Sequence, residues 1–425
     1  MSSQMENSFL ERDVKQVVEN ALTSLSQEEL TILKMIIKEK CEAIIKRRSL
    51  YESLLEETYN NKSNAEEVIR KNPLDQRMNN NCDIQVICRV RPFSDNEIKN
   101  KIEPAELKFS DDKRIIYVYA EGLNMQVMTS SYEFERVFDG SADQEEIYSE
   151  LSPLVQSAIS GQNICIFTYG SSGSGKTYTM EGDAYSPEKK GIIPRVIDEI
   201  YDKIEDYKEL GWSFVVHVQY IKIYNETIQD LLIDEDKTTN TCNNHERSYG
   251  DRKKPCKIMY NEDTRMTVIE NAQRCNISQK KDMENLVHKI LACKSKSSTT
   301  KPSSHSVLIL HLEGVNPLEN MSSRSALSLI DLACPENTNK SSGFAQITEA
   351  QIINRQVFYL RNAIQQTNRA NYCDTTLTSL LKYSLDGAAK VCMIVNVSPL
   401  ADSVNETKRS LNFGRIVRNM KAGMA

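Results

Sequence analysis

The sequence lacks the long apolar runs that membrane proteins need. Apolar runs such as residues 391–395 have the length of a β-strand, whereas a membrane-spanning helix needs about 18 apolar residues or more. Residues 1–14 are polar and have no apolar centre of the kind found in secretory signal peptides. The sequence therefore predicts no membrane association and no secretion.

Excess positive charge is also missing, because the formal net charge is -6. A chain with this charge has no overall electrostatic attraction to nucleic acids or anionic membranes. We therefore predict no nucleic-acid partner, and an acidic partner of any kind must meet a local basic patch.

Paired cysteines are missing as well. The eleven cysteines are scattered and form no CxxC pair, which predicts free thiols in a reducing compartment such as the cytoplasm. Cys242, His245 and Cys256 are candidate zinc ligands, but they are only three and irregularly spaced. The sequence therefore favours a polar loop over a zinc site.

Residues 1–80 are predicted to form a helical segment. Residues 13–70 contain almost no glycine or proline, and SQEE at 26–29 fits a capping box. A heptad pattern follows, in which Lys40 and Arg47 interrupt the companion positions held by Leu33 and Leu54. Its apolar residues recur every seven positions, at Leu30, Ile37, Ile44 and Tyr51. Two interpretations stay open: a short or weak coiled coil, and a long helix packed on the main domain.

A second domain is predicted over residues 83–421, after a boundary marked by Asn72-Pro73 and an asparagine run. Short β-rich runs are mixed there with helical stretches, which predicts an α/β domain built on a buried sheet. The predicted strands are 84–90, 115–119, 164–169, 214–224, 307–312, 327–332 and 391–397, and the predicted helices include 144–160, 193–207 and 348–366. Residues 234–257 are polar and are predicted to form a surface loop or insertion.

The strongest local signal is GSSGSGKT at residues 170–177, which fits the phosphate-binding pattern G-x-x-x-x-G-K-[ST]. It follows an apolar run and precedes a predicted helix, as that pattern requires. Glycines let backbone N–H groups surround phosphate oxygens, Lys176 supplies a cation, and the hydroxyl of Thr177 can bind Mg²⁺. The sequence therefore predicts a nucleotide site with Mg²⁺. The guanine-reading pattern N-K-x-D is absent.

Further segments resemble the kinesin motor domain in order and spacing across residues 83–421. They are CRVRP at 88–92, YEFERVFD at 132–139, ICIFTYG and YTM on either side of the phosphate loop, GIIP at 191–194, YNETIQDLL at 224–232, NVSP at 396–399 and NETKRSLNF at 405–413. The resemblance implies a P-loop NTPase fold of the kinesin type, with a central, mostly parallel mixed sheet flanked by helices.

The resemblance also implies ATP or ADP with Mg²⁺ as the bound ligands. The residues that it assigns to the nucleotide are Arg89, Arg91, Pro92, Gly170, Ser171, Ser172, Gly173, Ser174, Gly175, Lys176, Thr177 and Tyr178, with the arginine motif stacking on adenine. Thr177 and Asp331 are assigned to Mg²⁺, Asp331 through a water molecule.

Two segments that sense the γ-phosphate in kinesins depart from the family pattern. The first switch, S-S-R-S-H in the family, is KPSSH at 301–305 and lacks the arginine; the second, D-L-A-G-S-E, is DLACPE at 331–336. The resemblance assigns catalytic roles to Ser304, Asp331 and Glu336. Cys334 and Pro335 restrict the backbone where the family has glycine and serine. We therefore predict impaired or absent hydrolysis, against the alternative that this lineage tolerates variant switches.

The resemblance extends to microtubules as the partner. A helical segment ahead of the motor-like domain resembles the C-terminal-motor class, which moves toward minus ends, and implies a cytoplasmic location on the cytoskeleton and the spindle. The family's basic loop P-Y-R-N-S-K-L-T is NYCDTTLT at 371–378, where both basic positions are lost and Asp374 adds negative charge. Basic residues that remain are Arg355, Arg361, Arg369, Lys382, Lys408, Arg409, Arg415, Arg418 and Lys421.

Three functions stay open at this point. The first is an ATP-driven motor for movement along microtubules or spindle organisation. The second is a non-catalytic subunit that keeps the motor fold, binds microtubules and pairs with a catalytic kinesin. The third is a nucleotide-gated scaffold that does not contact microtubules.

Overall fold

The computed structural model describes residues 84–121, 127–183, 186–233, 255–277, 282, 286, 304–333, 344–366 and 371–420. The predicted helical segment 1–80 lies outside the described residues, as do most of the polar segment 234–257 and the switch residues Ser303, Cys334, Pro335 and Glu336. What the sequence predicts for these residues, and for the domain boundaries, stays a prediction.

Fourteen strands and seven α-helices are formed by the described residues. The strands are β1 (Ile84–Val90), β2 (Leu107–Phe109), β3 (Ile115–Glu121), β4 (Val127–Glu133), β5 (Arg136–Phe138), β6 (Asn163–Gly170), β7 (Ser213–Tyr224), β8 (Thr227–Asp230), β9 (Lys257–Asn261), β10 (Met266–Glu270), β11 (Cys275–Ile277), β12 (His305–Asn316), β13 (Met321–Asp331) and β14 (Ala389–Val397). The helices are α1 (Asp95–Lys99), α2 (Gln144–Ile159), α3 (Lys176–Glu181), α4 (Ile192–Glu209), α5 (Phe344–Gln365), α6 (Thr376–Tyr383) and α7 (Val404–Met420).

Nine strands form one mixed sheet in the order β11-β7-β12-β13-β6-β14-β1-β5, with β8 paired to β7. From β13 to β5 every neighbouring pair is parallel, and β12 pairs antiparallel with both β7 and β13. The carboxyl ends of β1, β6, β13 and β14 therefore meet at one edge, which is where α/β sheets bind ligands. The predicted α/β fold with a mixed central sheet is confirmed.

Alternation along the buried strands gives each sheet face its own core. In β6, Ile164 and Ile166 face the core that contains α2 and α4, whereas Cys165 and Phe167 face the core that contains α5, α6 and α7. Because both faces are covered by helices, the central strands β6 and β14 are buried along most of their length and are apolar at most positions. Strand β6 therefore leads into the phosphate loop with both of its faces packed in a core.

Each of the seven predicted strands is present, and most extend by one or more residues beyond the predicted ends. Strand β13 differs most, because it begins six residues earlier, at Met321, in the exposed part of the β12–β13 hairpin. The short strands β2, β5, β8 and β11 and the β9–β10 pair were not predicted, since three to five residues carry little periodic signal. The seven-residue strand β4 was not predicted either. No helix among the described residues is long and apolar enough to cross a membrane.

Candidate nucleotide-binding site

The phosphate loop joins the end of β6 to the start of α3. A Cβ added at Gly170 would lie 2.2 Å from the carbonyl oxygen of Asn396, so a side chain there would collide with β14. Gly173 and Gly175 have φ values of 72° and 92°, a region that favours glycine. The glycines therefore allow both the close approach to β14 and the turn into α3.

Lys176 is held inside this loop. Its Nζ donates hydrogen bonds to the carbonyl oxygens of Gly170, at 3.0 Å, and Ser171, at 2.9 Å. The Oγ of Ser174 also donates to the Ser171 carbonyl, at 2.8 Å. The Oγ of Ser171 is buried and has no hydrogen-bond partner among the described residues. A buried cation beside an unpartnered hydroxyl fits an anionic phosphate group.

Thr177 connects the loop to the end of β13. Its Oγ1 donates to Oδ2 of Asp331 at 2.6 Å, and Oγ1 of Thr168 donates to Oδ1 of the same carboxylate at 3.2 Å. Asp331 and Thr168 are paired in the parallel ladder between β13 and β6, so the sheet itself sets this geometry. A hydroxyl and a carboxylate placed together are hard oxygen ligands, which is the chemistry that Mg²⁺ prefers.

Arg91 and Tyr178 border the loop. The Nε of Arg91 donates to the carbonyl of Gly173 at 2.6 Å, and its guanidinium forms two hydrogen bonds with Glu97. Tyr178, in the first turn of α3, is 37% exposed, and Pro92 is exposed as well. The structure therefore brings these predicted nucleotide residues together at the loop.

Arg89 occupies a different position, beneath α3. It is 2% exposed and donates to Gln144 at 3.1 Å and to Thr179 at 2.7 Å, and its guanidinium carbon lies 5.5 Å from the centre of the Tyr178 ring. Burial lowers the pKa of Arg89 to about 10. Its side chain thus supports Tyr178 from inside the fold, and direct contact with a nucleotide stays a prediction.

Thr179 is the centre of a buried network that the sequence did not reveal. Its Oγ1 accepts hydrogen bonds from Arg89 and from Nδ2 of Asn396, each at 2.7 Å, and lies 2.9 Å from the carbonyl oxygen of Gly175. Gln144, at the start of α2, donates to the carbonyl of Tyr178 at 2.7 Å. These bonds tie α3 to β1, β14 and α2. The polar Asn396 inside an apolar run is the sequence feature that could have indicated this buried network.

The described parts of the two switches meet at His305. Ser304 is half-buried and directly precedes β12. The Nδ1 of His305 accepts the backbone N–H of Ala333 at 3.0 Å, so its Nε2 carries the proton that is shared with Oε1 of Gln356 at 2.9 Å. Burial lowers the pKa of His305 to about 4, which keeps the ring neutral. Glu336 lies outside the described residues.

Residues 89–420 match the family described as Kinesin motor domain. The chain belongs to this family. It is 31% identical over 376 residues to Kinesin-like protein KAR3 of Saccharomyces cerevisiae, covering 84% of this chain and 49% of that protein. It is 34% identical over 358 residues to Carboxy-terminal kinesin 2 of Xenopus laevis, covering 80% and 54%. This kinesin chain thus spans about half the length of these curated relatives.

Solved kinesin structures give the same result. The C-terminal motor domain of Kar3 from Candida glabrata is 32% identical with a TM-score of 0.64, covering 79% of this chain and 98% of that one. The C-terminal motor and motor homology domain of Kar3Vik1, fused to a synthetic heterodimeric coiled coil, is 28% identical with a TM-score of 0.65, covering 96% and 99%. The predicted family and its likeness to C-terminal kinesins are confirmed.

The candidate track-facing basic residues of this kinesin fall into two groups. Arg355 and Arg361 are exposed on α5 and form no ion pair among the described residues, although Arg355 donates to the carbonyl of Asp374 at 3.5 Å and lies over the Tyr359 ring. In contrast, Arg418 forms ion pairs with Glu133 at 2.9 Å and with Glu135 at 3.6 Å. Several of the others are also engaged or lie outside the described residues. Arg415 lies over the Tyr132 ring, Lys382 lies over the rings of Tyr260 and Tyr383, and Arg369 and Lys421 are not described.

Proposed function

We propose that this chain binds Mg·ATP or Mg·ADP at the phosphate loop and docks on microtubules as a kinesin motor domain. The observation that carries the nucleotide proposal is the pairing of Thr177 with Asp331 beside the buried Lys176. Lys176 and the free hydroxyl of Ser171 would hold phosphate oxygens, Thr177 would bind Mg²⁺ directly, and Asp331 would bind it through water. Bound Mg²⁺ supplies positive charge against the phosphates.

Nucleotide binding is tested by titration with a fluorescent ATP analogue. Lys176→Ala removes the cation, and Thr177→Asn disturbs the Mg²⁺ position, so both should weaken binding by tenfold or more. The control is Lys208→Ala near the end of α4, which removes an exposed lysine that pairs with Glu205 and belongs to no part of the phosphate loop. This variant should bind the ATP analogue like the parent. Equal affinity of the parent and both loop variants would contradict the proposal.

Microtubule docking is supported by the exposed face of α5. Arg355, Phe358 and Arg361 are exposed at three-residue spacing, which places them on one side of the helix, and Phe358 is 57% exposed. The one acidic residue of α5, Glu349, accepts a hydrogen bond from Tyr224 at 2.5 Å. This face is therefore basic with an aromatic centre, and it complements an acidic protein surface such as that of tubulin.

A second candidate is a non-catalytic motor-homology subunit. The sequence feature that favours it is Cys334-Pro335 in the second switch, together with the arginine missing from the first. The likeness of this chain to the Kar3Vik1 structure, which contains a motor and a motor homology domain, agrees with either a motor or a non-catalytic subunit. ATP turnover of the purified chain with and without microtubules separates the two, because only the motor should show strong stimulation.

We further propose pairing through residues 13–70 and a location on cytoplasmic microtubules, including the spindle. Lys40 and Arg47 interrupt the heptad seam, so an acidic partner helix, as in a heterodimer with another kinesin or kinesin-associated chain, should be favoured over self-pairing. Sedimentation of the isolated chain tests this, since a stable homodimer at micromolar concentration would contradict it.

A further inference from the structure

The guanidinium of Arg91 is held by its edges. Its Nε donates to the carbonyl of Gly173 at 2.6 Å, its Nη1 donates to the carbonyl of Pro92 at 2.9 Å and to Oε2 of Glu97 at 2.8 Å, and its Nη2 donates to Oε1 of Glu97 at 2.6 Å. Four of its five N–H groups are thus used. Because these bonds lie in the plane of the group, what Arg91 still offers a ligand is mainly its flat surface.

Glu97 is itself held in place by Ser94. It is the third residue of α1, where its Oε2 accepts the backbone N–H of Ser94 at 2.8 Å while its own N–H is donated to Oγ of Ser94 at 3.4 Å. This capping box leaves the carboxylate little freedom. The Arg91 and Glu97 side chains are only 16% and 19% exposed, so solvent competes weakly for the pair.

Glu97 also stays charged under all ordinary conditions. Hydrogen bonds from Arg91 are the main cause that lowers the pKa of Glu97 to about 2. Next to the pair, Arg91 packs against the loop, because a Cβ added at Gly175 would lie 3.4 Å from Cβ of Arg91. The carboxylate, the guanidinium and the phosphate loop therefore form one continuous chain of contacts that begins in α1.

We propose that Glu97 is a positioning residue for the nucleotide base. It holds Arg91 edge-on to the phosphate loop, so that the flat surface of the guanidinium is preset for stacking on a planar ring. A free arginine would lose side-chain conformational entropy on stacking, and the Glu97 clamp removes much of that loss before the ligand arrives. The inference rests on the proposed nucleotide binding and assigns to Glu97 a part that acts only through Arg91.

The test compares two ligands that share phosphates but differ in the base. Competition against a fluorescent nucleotide gives the dissociation constants of Mg·ATP and of Mg·tripolyphosphate for the full chain. Glu97→Gln, which cannot form the two charged bonds, should weaken Mg·ATP about tenfold and leave Mg·tripolyphosphate within twofold. Equal weakening of both ligands would show that Glu97 shapes the phosphate loop instead, and it would overturn the proposal, as would unchanged Mg·ATP binding.

Matched variants separate this role from helix stability. Ser94→Ala removes the Oγ that accepts the backbone N–H of Glu97 but keeps the backbone N–H of residue 94 that contacts the Glu97 carboxylate, and Asp95→Asn removes a charge from an exposed position in the same turn. Both should bind the two ligands like the parent. In an Arg91→Ala background, Glu97→Gln should have no further effect, and an additional tenfold loss there would refute action through Arg91. A parent chain that binds neither ligand would instead refute the proposed nucleotide binding itself.

Discussion

The backbone N–H of Ala333 is donated to Nδ1 of His305 at 3.0 Å, across 28 residues of sequence. This bond joins the start of β12 to the segment that follows β13, so the two switches are tied together at their described ends. Gln356 of α5 accepts the remaining ring proton. The neutral imidazole therefore connects both switches with the helix whose exposed face carries Arg355 and Phe358.

Gln356→Met should weaken the dependence of microtubule affinity on the bound nucleotide. The substitution removes the acceptor of the His305 ring proton but keeps a side chain of similar length. A coupling of 1–3 kcal/mol is typical between two sites, about 5- to 150-fold, and a lost buried hydrogen bond of about 1–3 kcal/mol can remove much of it. We expect the ratio of microtubule affinities with a non-hydrolysable ATP analogue and with ADP to fall toward one, measured by co-pelleting.

The matched control for this variant is Gln365→Met, at the exposed end of the same helix. It should leave the ratio unchanged, even if both affinities shift together. A Gln356→Met chain that retains the full nucleotide dependence would show that the His305 connection is structural only.

The central elements could be predicted because their signals are local. The phosphate loop is one contiguous segment, and buried strands such as β6 and β14 are apolar at most positions. The network around Thr179 could not be predicted, since its bonds join Arg89 and Asn396 from 90 and 217 residues away. The pairing of Arg418 with Glu133 could not be predicted either, because the two residues are 285 positions apart. From the sequence alone, Arg418 therefore remained a candidate microtubule contact.

Two buried histidines should make stability depend on pH. Burial is the main cause that lowers the pKa of both His305 and His311 from 6.5 to about 4. Between these values the unfolded chain binds protons that the folded chain excludes, so the free energy of unfolding rises with pH there and is constant above about 6.5. Each histidine contributes about 1.4 kcal/mol for each pH unit in that window.

Urea unfolding at intervals from pH 4.5 to 8 measures this slope. His311→Gln should reduce it by about half, because one of the two titrating groups is then missing. The carboxyl groups of Glu97 and Asp139 have pKa values lowered to about 2, mainly by hydrogen bonds from Arg91 and Lys113. The stability that these two groups contribute is therefore lost only as the pH falls below about 4.5, outside the histidine window. A flat stability profile between pH 4.5 and 6.5 would contradict the prediction.

Charge reversal should separate the two groups of basic residues on the proposed track surface. Arg355→Glu with Arg361→Glu removes exposed charges from α5 and should weaken microtubule co-pelleting strongly, and more so at low salt, because exposed charges are screened over about 10 Å at 0.1 M. Arg418→Glu should have a smaller effect on binding, since Arg418 is already paired with Glu133, and it should lower stability instead.

The control for these reversals is the pair Lys253→Glu and Lys254→Glu in the polar segment 234–257. It introduces the same change of charge and should leave co-pelleting nearly unchanged. Loss of binding in this control, with binding retained after reversal in α5, would move the track contact to a different surface.

The last prediction concerns hydrolysis, and it follows from the sequence of the two switches. Cys334 restricts the backbone where the family has a glycine that meets the γ-phosphate, Pro335 removes an N–H donor, and the first switch lacks the arginine that would pair with Glu336. Removing one preorganised interaction of this kind commonly costs a factor of about 10²–10³ in rate, or roughly 3–4 kcal/mol. Because the bond between His305 and Ala333 joins the described residues beside the two switches, we expect the three departures to act together as one unit.

Repair of this unit should therefore be non-additive. Cys334→Gly alone should change microtubule-stimulated ATP turnover little, because the ion pair is still missing. Cys334→Gly with Pro335→Ser and Ser303→Arg should raise turnover well above the sum of the single changes, and Pro302→Arg tests the neighbouring alignment. Lys176→Ala should abolish the gain, which ties it to the phosphate loop. Turnover of tens per second by the unaltered chain with microtubules would show instead that its variant switches already close, and that this chain is an active motor.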